Sequence, residues 1–338
     1  MATEKNYPEK ILIIQTASIG DVILATSLIE SLHHTYPHAE LSVLVKSNNT
    51  GLFHEHPFIK NVLAWNKQYN KYSNLFRLIK YIRRERFTIV VNIQRFFSSG
   101  IITALSGAKT TTGFTKNPLS TFFTHRIRHD ITVGGKHEIE RNHELISFLG
   151  QVQLQPVKLY PGTEAYKNIE QWQSEPYICI APASLWFTKQ LPAEKWIAII
   201  NKIHPDYNVH LLGGANDEPL CQQISAQSTH KRTNILAGRL NLLETAALMK
   251  KAHMNIVLDS APLHLASAMN APTTALFCST VPAFGFGPLA ENSTVVEPEK
   301  TLSCRPCGIH GLRKCPKKHF DCAYTINCTT VIERINNV

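Results

Sequence analysis

The segment Lys10-Ile11-Leu12-Ile13-Ile14-Gln15-Thr16-Ala17-Ser18-Ile19-Gly20-Asp21-Val22 runs from an unbroken aliphatic stretch, through small polar residues, into an acidic residue that opens an amphipathic segment. Consecutive aliphatic residues suit a strand buried on both faces, as in a parallel sheet. From Asp21 to Tyr36 the apolar residues Val22, Leu24, Ala25, Leu28, Ile29 and Leu32 fall near helical spacing, and the segment stops before Pro37. Strand, tight turn and helix together open a parallel α/β unit.

The alternation continues on either side of a break. Leu41–Val45 and Thr88–Ile93 read as further strands and Asn70–Arg86 as a helix. A second set begins after Gln171. There Tyr177–Ala181, Asn208–Leu212, Met254–Leu258 and Thr273–Phe277 read as strands, and Ala193–Lys202, Glu218–Gln227, Leu243–Ala252 and Leu263–Met269 as helices. Leu154–Glu175, with Pro156, Pro161 and Gly162, suits a linker. The expectation is two similar Rossmann-like α/β domains, 1–165 and 166–338. A length of 338 residues fits two domains at roughly 150 residues each. Facing domains create a cleft, where ligands prefer to bind, and open parallel sheets place the site at the carboxyl ends of their strands.

Composition narrows the class. Hydrophobic residues at 43% and charged residues at 18% describe an ordinary globular chain and argue against disorder as the main state. Lys and Arg outnumber Asp and Glu 35 to 25, and the resulting charge of +10 favours polyanions or an anionic membrane surface. No apolar stretch approaches the roughly 18 residues of a membrane-spanning helix. Polar Met1–Lys10 meets an apolar run too short for a signal peptide, so a cytoplasmic protein is expected. Between Lys60 and Arg95 stand nine Lys or Arg residues and one acidic residue, Glu85, interleaved with Tyr69, Tyr72, Phe76, Tyr81 and Phe87. No DNA- or RNA-binding signature accompanies them, so nucleic acid is not the expected partner.

Four strand–helix junctions carry chemistry. Gln15–Asp21 lacks both the dinucleotide G-x-G-x-x-G and the P-loop G-K-[ST]. It offers a helix start for an anion and a carboxylate, Asp21, at the end of the first strand. Ala181-Pro-Ala-Ser184-Leu-Trp-Phe-Thr188-Lys189 offers two hydroxyls and an ammonium that suit phosphate oxygens. Gly213-Gly214-Ala-Asn-Asp217-Glu218 permits close backbone approach, and its acidic pair can accept bonds from a ribose or an adenine amino group. Asp259-Ser260-Ala261-Pro262-Leu263-His264 places a carboxylate for sugar hydroxyls before a helix start that can face a diphosphate. Each alone is also what an ordinary capped helix or surface loop needs. Together, at strand ends in two halves, they point to a nucleotide-sugar or phosphate-ester site.

Taken as a set, these residues resemble the lipopolysaccharide heptosyltransferase family, ADP-heptose-using glycosyltransferases of GT-B fold. The likeness spans nearly the whole chain. Lys10–Val22 with Gly20-Asp21 is similar to the family's start. Pro182-Ala-Ser-Leu-Trp-Phe-Thr-Lys189-Gln-Leu-Pro192 resembles P-G-S-x-W-x-T-K-x-W-P, and Asp259-Ser260 with His264 resembles D-[ST]-G-x-x-H. The glycine turn Gly213-Gly214 with Asp217 and Glu218, and His137-Glu138 with Glu140-Arg141-Asn142, also match family segments. Ala183 and Ala261 replace usual glycines, and Leu191 a usual tryptophan.

The resemblance implies two facing Rossmann-like domains with an interdomain cleft, and inverting transfer of heptose from ADP-L-glycero-D-manno-heptose to the lipopolysaccharide inner core. It implies no metal and no cofactor, the nucleotide sugar being a substrate. Asp21 is the implied general base, with Ser18 and Gly20 beside it at the acceptor. Lys189 neutralises charge on departing ADP. Ser184, Thr188, Ser260 and the backbone of Ala261, Leu263 and His264 hold the diphosphate, Asp259 the heptose, and Asp217 or Glu218 the nucleoside. The implied partners are ADP-heptose, a phosphorylated Kdo–lipid A or inner-core acceptor, and the inner face of the cytoplasmic membrane, where the enzyme would be peripheral. The closing helix, Thr329–Ile335, is expected to cross back onto the first domain.

Two other functions are compatible with these features: a nucleotide-sugar epimerase of the same architecture, and a non-catalytic nucleotide- or polyanion-binding protein. The C-terminal cysteines stay open between a structural metal site and a set of buried or free thiols. Cys304-x-x-Cys307 suits half of a four-thiolate zinc site, but six residues separate Cys315 from Cys322, unlike a compact zinc ribbon. No metal ligand is assigned.

Overall fold

The computed structural model of the chain describes residues 9–67, 71–132 and 135–337. Tyr69, in the basic stretch, Asn70, the expected helix start, and most of the polar leader lie outside them. The chain forms two compact units, one reaching Ile131 and including Lys136–Tyr160, the other running from Pro161.

The first unit contains β1 (Lys10–Ile14), α1 (Ile19–Thr35), β2 (Glu40–Lys46), β3 (Ile59–Trp65), α2 (Lys71–Glu85), β4 (Ile89–Asn92), α3 (Phe97–Ala104), β5 (Thr110–Phe114), β6 (His125–Ile127) and α4 (Glu138–His143). Its strands pair in parallel in the order β3-β2-β1-β4-β5-β6. The chain therefore builds outward from β1 in one direction, then returns to lay β4 on its other side. Such a reversal leaves a crevice at the carboxyl ends of the two central strands. Ile11 to Ile14 are buried, which explains the unbroken aliphatic run at Ile11–Ile14.

The second unit contains α5 (Thr163–Ile169), β7 (Tyr177–Ala181), α6 (Ala193–Ile200), β8 (Asn208–Leu211), α7 (Glu218–Gln227), β9 (Thr233–Ile235), α8 (Leu242–Lys251), β10 (Met254–Leu258), α9 (Ala261–Ala268), β11 (Thr273–Leu276), β12 (Ser293–Val296), α10 (Asp321–Tyr324) and α11 (Cys328–Asn336). Its parallel order β12-β11-β10-β7-β8-β9 repeats the first sheet's topology, with the reversal between β7 and β10.

Strands with unbroken apolar runs stand where the sequence places them. Five others, β3, β5, β6, β9 and β12, lack that signature. β5, Thr110-Thr111-Thr112-Gly113-Phe114, is buried through satisfied hydroxyls. Thr112 Oγ1 donates to Leu145 O at 2.8 Å, and the Thr111 and Thr124 backbone amides donate to each other's hydroxyls at 3.1 and 3.0 Å. Such hydrogen bonds let polar residues fill an interior position.

The passage from the first unit to the second, between Tyr160 and Pro161, lies within Leu154–Glu175, and this stretch is packed on either side of it. Gln155 N–H and Lys158 N–H bond Ser31 Oγ and Thr26 Oγ1 of α1 at 2.9 and 3.0 Å, and α5 buries Ile169 and packs on α8. The closing helix α11 buries Val331 and Ile335 among Trp196, Ile199 and Ile200 of the second unit. Its apolar face belongs to that core.

Candidate active site

In the first unit, Ser18 precedes α1 in extended conformation, and Asp21 folds back over it. Ser18 N–H and Oγ both donate to Asp21 Oδ2, at 3.2 and 2.5 Å. The bland reading of Asp21 as a cap is thus realised. Both bonds fall on one oxygen, and Oδ1 accepts no hydrogen bond among the described residues. Gly20 is buried in the first turn. The preceding turn is braced: Lys67 Nζ donates to Thr16 Oγ1 at 3.0 Å, and Asn49 Nδ2 to Ala17 O at 3.3 Å. A braced turn holds the carboxylate at the carboxyl end of β1.

In the second unit, the loop after β7 carries Lys189 toward the end of β10. Lys189 Nζ lies 2.7 Å from Asp259 Oδ2, and both side chains are largely buried. Thr280 Oγ1 donates to the same oxygen at 2.6 Å. Ammonium, carboxylate and hydroxyl therefore converge from the ends of β7, β10 and β11. Arg305 anchors the third member. Its guanidinium donates to the carbonyls of Phe277, Cys278 and Thr280 at 3.1, 2.7 and 2.6 Å and to Glu297 Oε1 at 2.6 Å. No local sequence pattern marks Arg305 as part of a site. The one signal for Thr280 is its place past the apolar strand Thr273–Leu276.

Thr188, expected as a phosphate ligand, is tied into the protein by its hydroxyl oxygen. It is buried, and its hydroxyl accepts from Ser279 Oγ at 2.9 Å and from Leu312 N–H at 2.8 Å. It holds the Lys189 turn against the 312 loop. Gly311 lies beneath that turn with φ +77°, where a Cβ would stand 3.1 Å from both Lys189 Cγ and Thr188 Oγ1. Ser184 stays half-buried, its carbonyl held by Gln190 Nε2 at 2.6 Å.

At α9, Pro262 has no N–H, and Leu263 N–H already donates to Ser260 O at 3.1 Å. Ala261 N–H has no protein acceptor among the described residues. Ser260 Oγ has only a 3.5 Å contact with Leu258 O, and His264 is buried one turn further on. After β8, Asp217 Oδ2 accepts Gly214 N–H at 2.8 Å and so closes the glycine turn. A Cβ on Gly213 would sit 2.8 Å from Asp217 Cβ, so this turn requires the glycine. Glu218 Oε1 accepts Gln222 Nε2 at 3.2 Å along α7.

The family model described as glycosyltransferase family 9 (heptosyltransferase) matches residues 75–311, well over half of the chain. The chain belongs to glycosyltransferase family 9, the heptosyltransferases. Among curated relatives, the chain is 28% identical to a lipopolysaccharide heptosyltransferase 3 of Escherichia coli over 278 residues, 77% of this chain and 81% of that one. Among solved structures it is similar to the E. coli ADP-heptose lipopolysaccharide heptosyltransferase II, with TM-score 0.80, 20% identity and 97% of each chain covered. E. coli heptosyltransferase WaaC with ADP gives TM-score 0.74 and 16% identity over 97% of this chain and 99% of that one. These likenesses show the GT-B α/β fold.

In this glycosyltransferase the C-terminal cysteines are free thiols. Burial, and then the neighbouring sulfurs of Cys307, Cys315 and Cys304, push the Cys322 thiol up to about 12. Among the described residues no three His, Cys, Asp or Glu side chains are arranged to hold a metal ion. Cys307 N–H instead bonds Ser279 O at 2.8 Å, which ties this segment to the loop bearing Thr280.

Proposed function

We propose that this glycosyltransferase moves L-glycero-D-manno-heptose from ADP-heptose to the lipopolysaccharide inner core, with inversion and without a metal or other cofactor. The observation that carries the proposal is the Lys189–Asp259–Thr280 cluster at the β7/β10 reversal of a heptosyltransferase-family chain. Lys189 is the cation for the diphosphate, and Asp259 keeps it in place until the donor arrives. As the phosphate oxygens approach, the ammonium is shared between carboxylate and phosphate, and it then stabilises the charge that develops on ADP. Ser260 and Ala261 N–H supply further donors to the diphosphate, Asp259 a contact to the heptose, and Asp217 or Glu218 the nucleoside contact.

At the acceptor, the hydroxyl oxygen attacks the anomeric carbon from the face opposite the diphosphate. The bond from that carbon to the phosphate oxygen breaks, ADP leaves with the electron pair, and the hydroxyl proton passes to Asp21 Oδ1. Work at the cytoplasmic membrane surface is part of the proposal. Tyr72 and Phe76 of α2, Phe96 and Phe97 at the start of α3, and Phe122 after β5 are 56–81% exposed. All follow carboxyl ends of parallel strands, with Arg77 and Lys80 nearby on α2. Exposed aromatics with cations suit the headgroup region of an anionic bilayer. No helix among the described residues is long and apolar enough to cross a membrane.

The test is ADP release from ADP-heptose, with and without heptose-deficient lipopolysaccharide acceptors of defined length. Release that needs an acceptor and is lost in Asp21→Asn supports transfer, and the acceptor that works gives the position. Release of a free altered sugar without acceptor would instead indicate an epimerase.

A further inference from the structure

Arg95 lies three residues past β4, beside the turn that carries Asp21. Asn92 of β4 is registered with Ile14 of β1, and the Gln94 side-chain amide bonds the Gln15 side chain across the reversal. A ligand at the first sheet's crevice would meet both loops.

Behind Arg95 runs a buried polar chain. Arg95 Nη1 is 3.5 Å from His129 Nδ1. The His129 ring is fully buried, edge-on to Phe114, and its Nε2 lies 3.2 and 3.3 Å from the two oxygens of Glu138. Arg141, also buried, donates from Nε to Glu138 Oε2 at 2.7 Å and from Nη1 to Lys136 O. Desolvation pushes the Glu138 carboxyl up, but His129 and Arg141 outweigh it and hold the group below its usual range.

These partners assign the tautomer. Nε2–H of His129 donates to the Glu138 carboxylate, which leaves the Nδ1 lone pair to accept from Arg95. Glu138 is already paired with Arg141. Among the described residues Arg95 forms no ion pair, so a half-buried guanidinium is aimed by a neutral nitrogen and its charge is unmatched. A guanidinium so held presents its remaining donors as a fork suited to a carboxylate or phosphate. Phe96 and Phe97, the next two residues of the chain, are 65% and 56% exposed.

We infer that Arg95 binds an anionic group of the acceptor, a sugar carboxylate or a phosphate ester, and that His129 is the positioning residue that sets its direction. The inference rests on the transferase reading only for the ligand's role as acceptor. It predicts that discrimination between charged and uncharged acceptors resides at this arginine.

The experiment compares wild type, Arg95→Gln, Arg95→Lys and His129→Gln. Glutamine at 129 keeps a donor near Nε2 for Glu138 and has no acceptor at the Nδ1 position that faces Arg95. Arg95→Gln should raise the acceptor KM about 10- to 100-fold, with donor KM and kcat within about threefold. Arg95→Lys should recover part of the loss, and His129→Gln should raise acceptor KM by about 3- to 10-fold at unchanged donor KM. Acceptors with phosphates removed or with carboxylates amidated identify the anion. The relevant one should cost wild type the same factor and cost Arg95→Gln nothing further. An unchanged acceptor KM in Arg95→Gln, or equal further losses with both modified acceptors, overturns the inference. If wild type transfers to no acceptor, calorimetric binding of the delipidated acceptor is read instead. Binding lost in Arg95→Gln sustains the anion site while the transferase reading falls, whereas equal binding, or none by wild type, overturns the site.

Discussion

Lys189 Nζ and Asp259 Oδ2, 70 residues apart in sequence, form a 2.7 Å ion pair whose side chains are 12% and 8% exposed. Removing Lys189 leaves the Asp259 charge largely buried, with the neutral Thr280 hydroxyl as its partner. Lys189→Ala should therefore lose roughly 3 kcal/mol of stability and about 100- to 1000-fold in kcat. Denaturant melts and steady-state rates check both. Full activity in this variant would remove Lys189 from the chemistry.

Asp21 caps α1 and, in the proposed reaction, takes the acceptor's proton. Asparagine can still accept from Ser18 N–H, so Asp21→Asn should leave the melting temperature nearly unchanged and lower kcat about 100- to 10,000-fold. Asp21→Ala should add a cap loss of about 1 kcal/mol. Equal kcat in wild type and Asp21→Asn would show that the carboxylate is only a cap.

Gly311 has φ +77°, and an added Cβ would press on Lys189 and Thr188 at 3.1 Å. Gly311→Ala should cost about 1–2 kcal/mol in backbone strain and displace the ammonium, raising the donor KM with little effect on the acceptor KM. Initial rates with each substrate varied in turn will separate the two.

His56 is packed among Phe53, Phe58 and Tyr160. Burial first, and then the charge of His33, lowers its pKa from 6.5 to about 4. The unfolded chain therefore binds a proton that the folded chain refuses. Stability from this group is complete above pH 6.5 and is lost as pH falls toward 4. Partial exposure limits the effect to roughly 2 kcal/mol. Urea midpoints between pH 7 and pH 4 should fall less steeply in His56→Phe than in wild type, and parallel slopes would exclude this histidine as the cause.

The exposed aromatics give a separate test of membrane work. Phe76→Ser and Phe122→Ser alter side chains 71% and 70% exposed, so melting should be unaffected. Cosedimentation with phosphatidylglycerol vesicles should drop several-fold in the double variant and weaken with salt in wild type. Wild-type protein that ignores anionic vesicles would rule out this docking face.

The α/β class, and most central strands to within a residue, are legible in the sequence, because a strand buried on both faces must be apolar along its whole length. β5 escapes that test because its threonines are satisfied by Leu145 O and Thr124, partners outside the strand. The candidate acidic and basic residues were likewise visible as strand-end positions. Their bonding was not. Thr188 turned out to be a buried tie to Leu312, and Thr280 and Arg305 entered from segments the sequence left unassigned.

Local patterning by itself determined where strands end and helices begin, and so that Asp21, Lys189 and Asp259 stand at carboxyl ends. Periodicity and capping act over a few residues and leave their mark in the order of side chains. Only the tertiary structure decided which ends are neighbours. The reversals between β1 and β4 and between β7 and β10 bring Arg95 beside the Asp21 turn and Lys189 onto Asp259. Strand order is set by long-range packing, which no window of sequence records. The same packing holds His129, Glu138 and Arg141 in one buried chain behind Arg95.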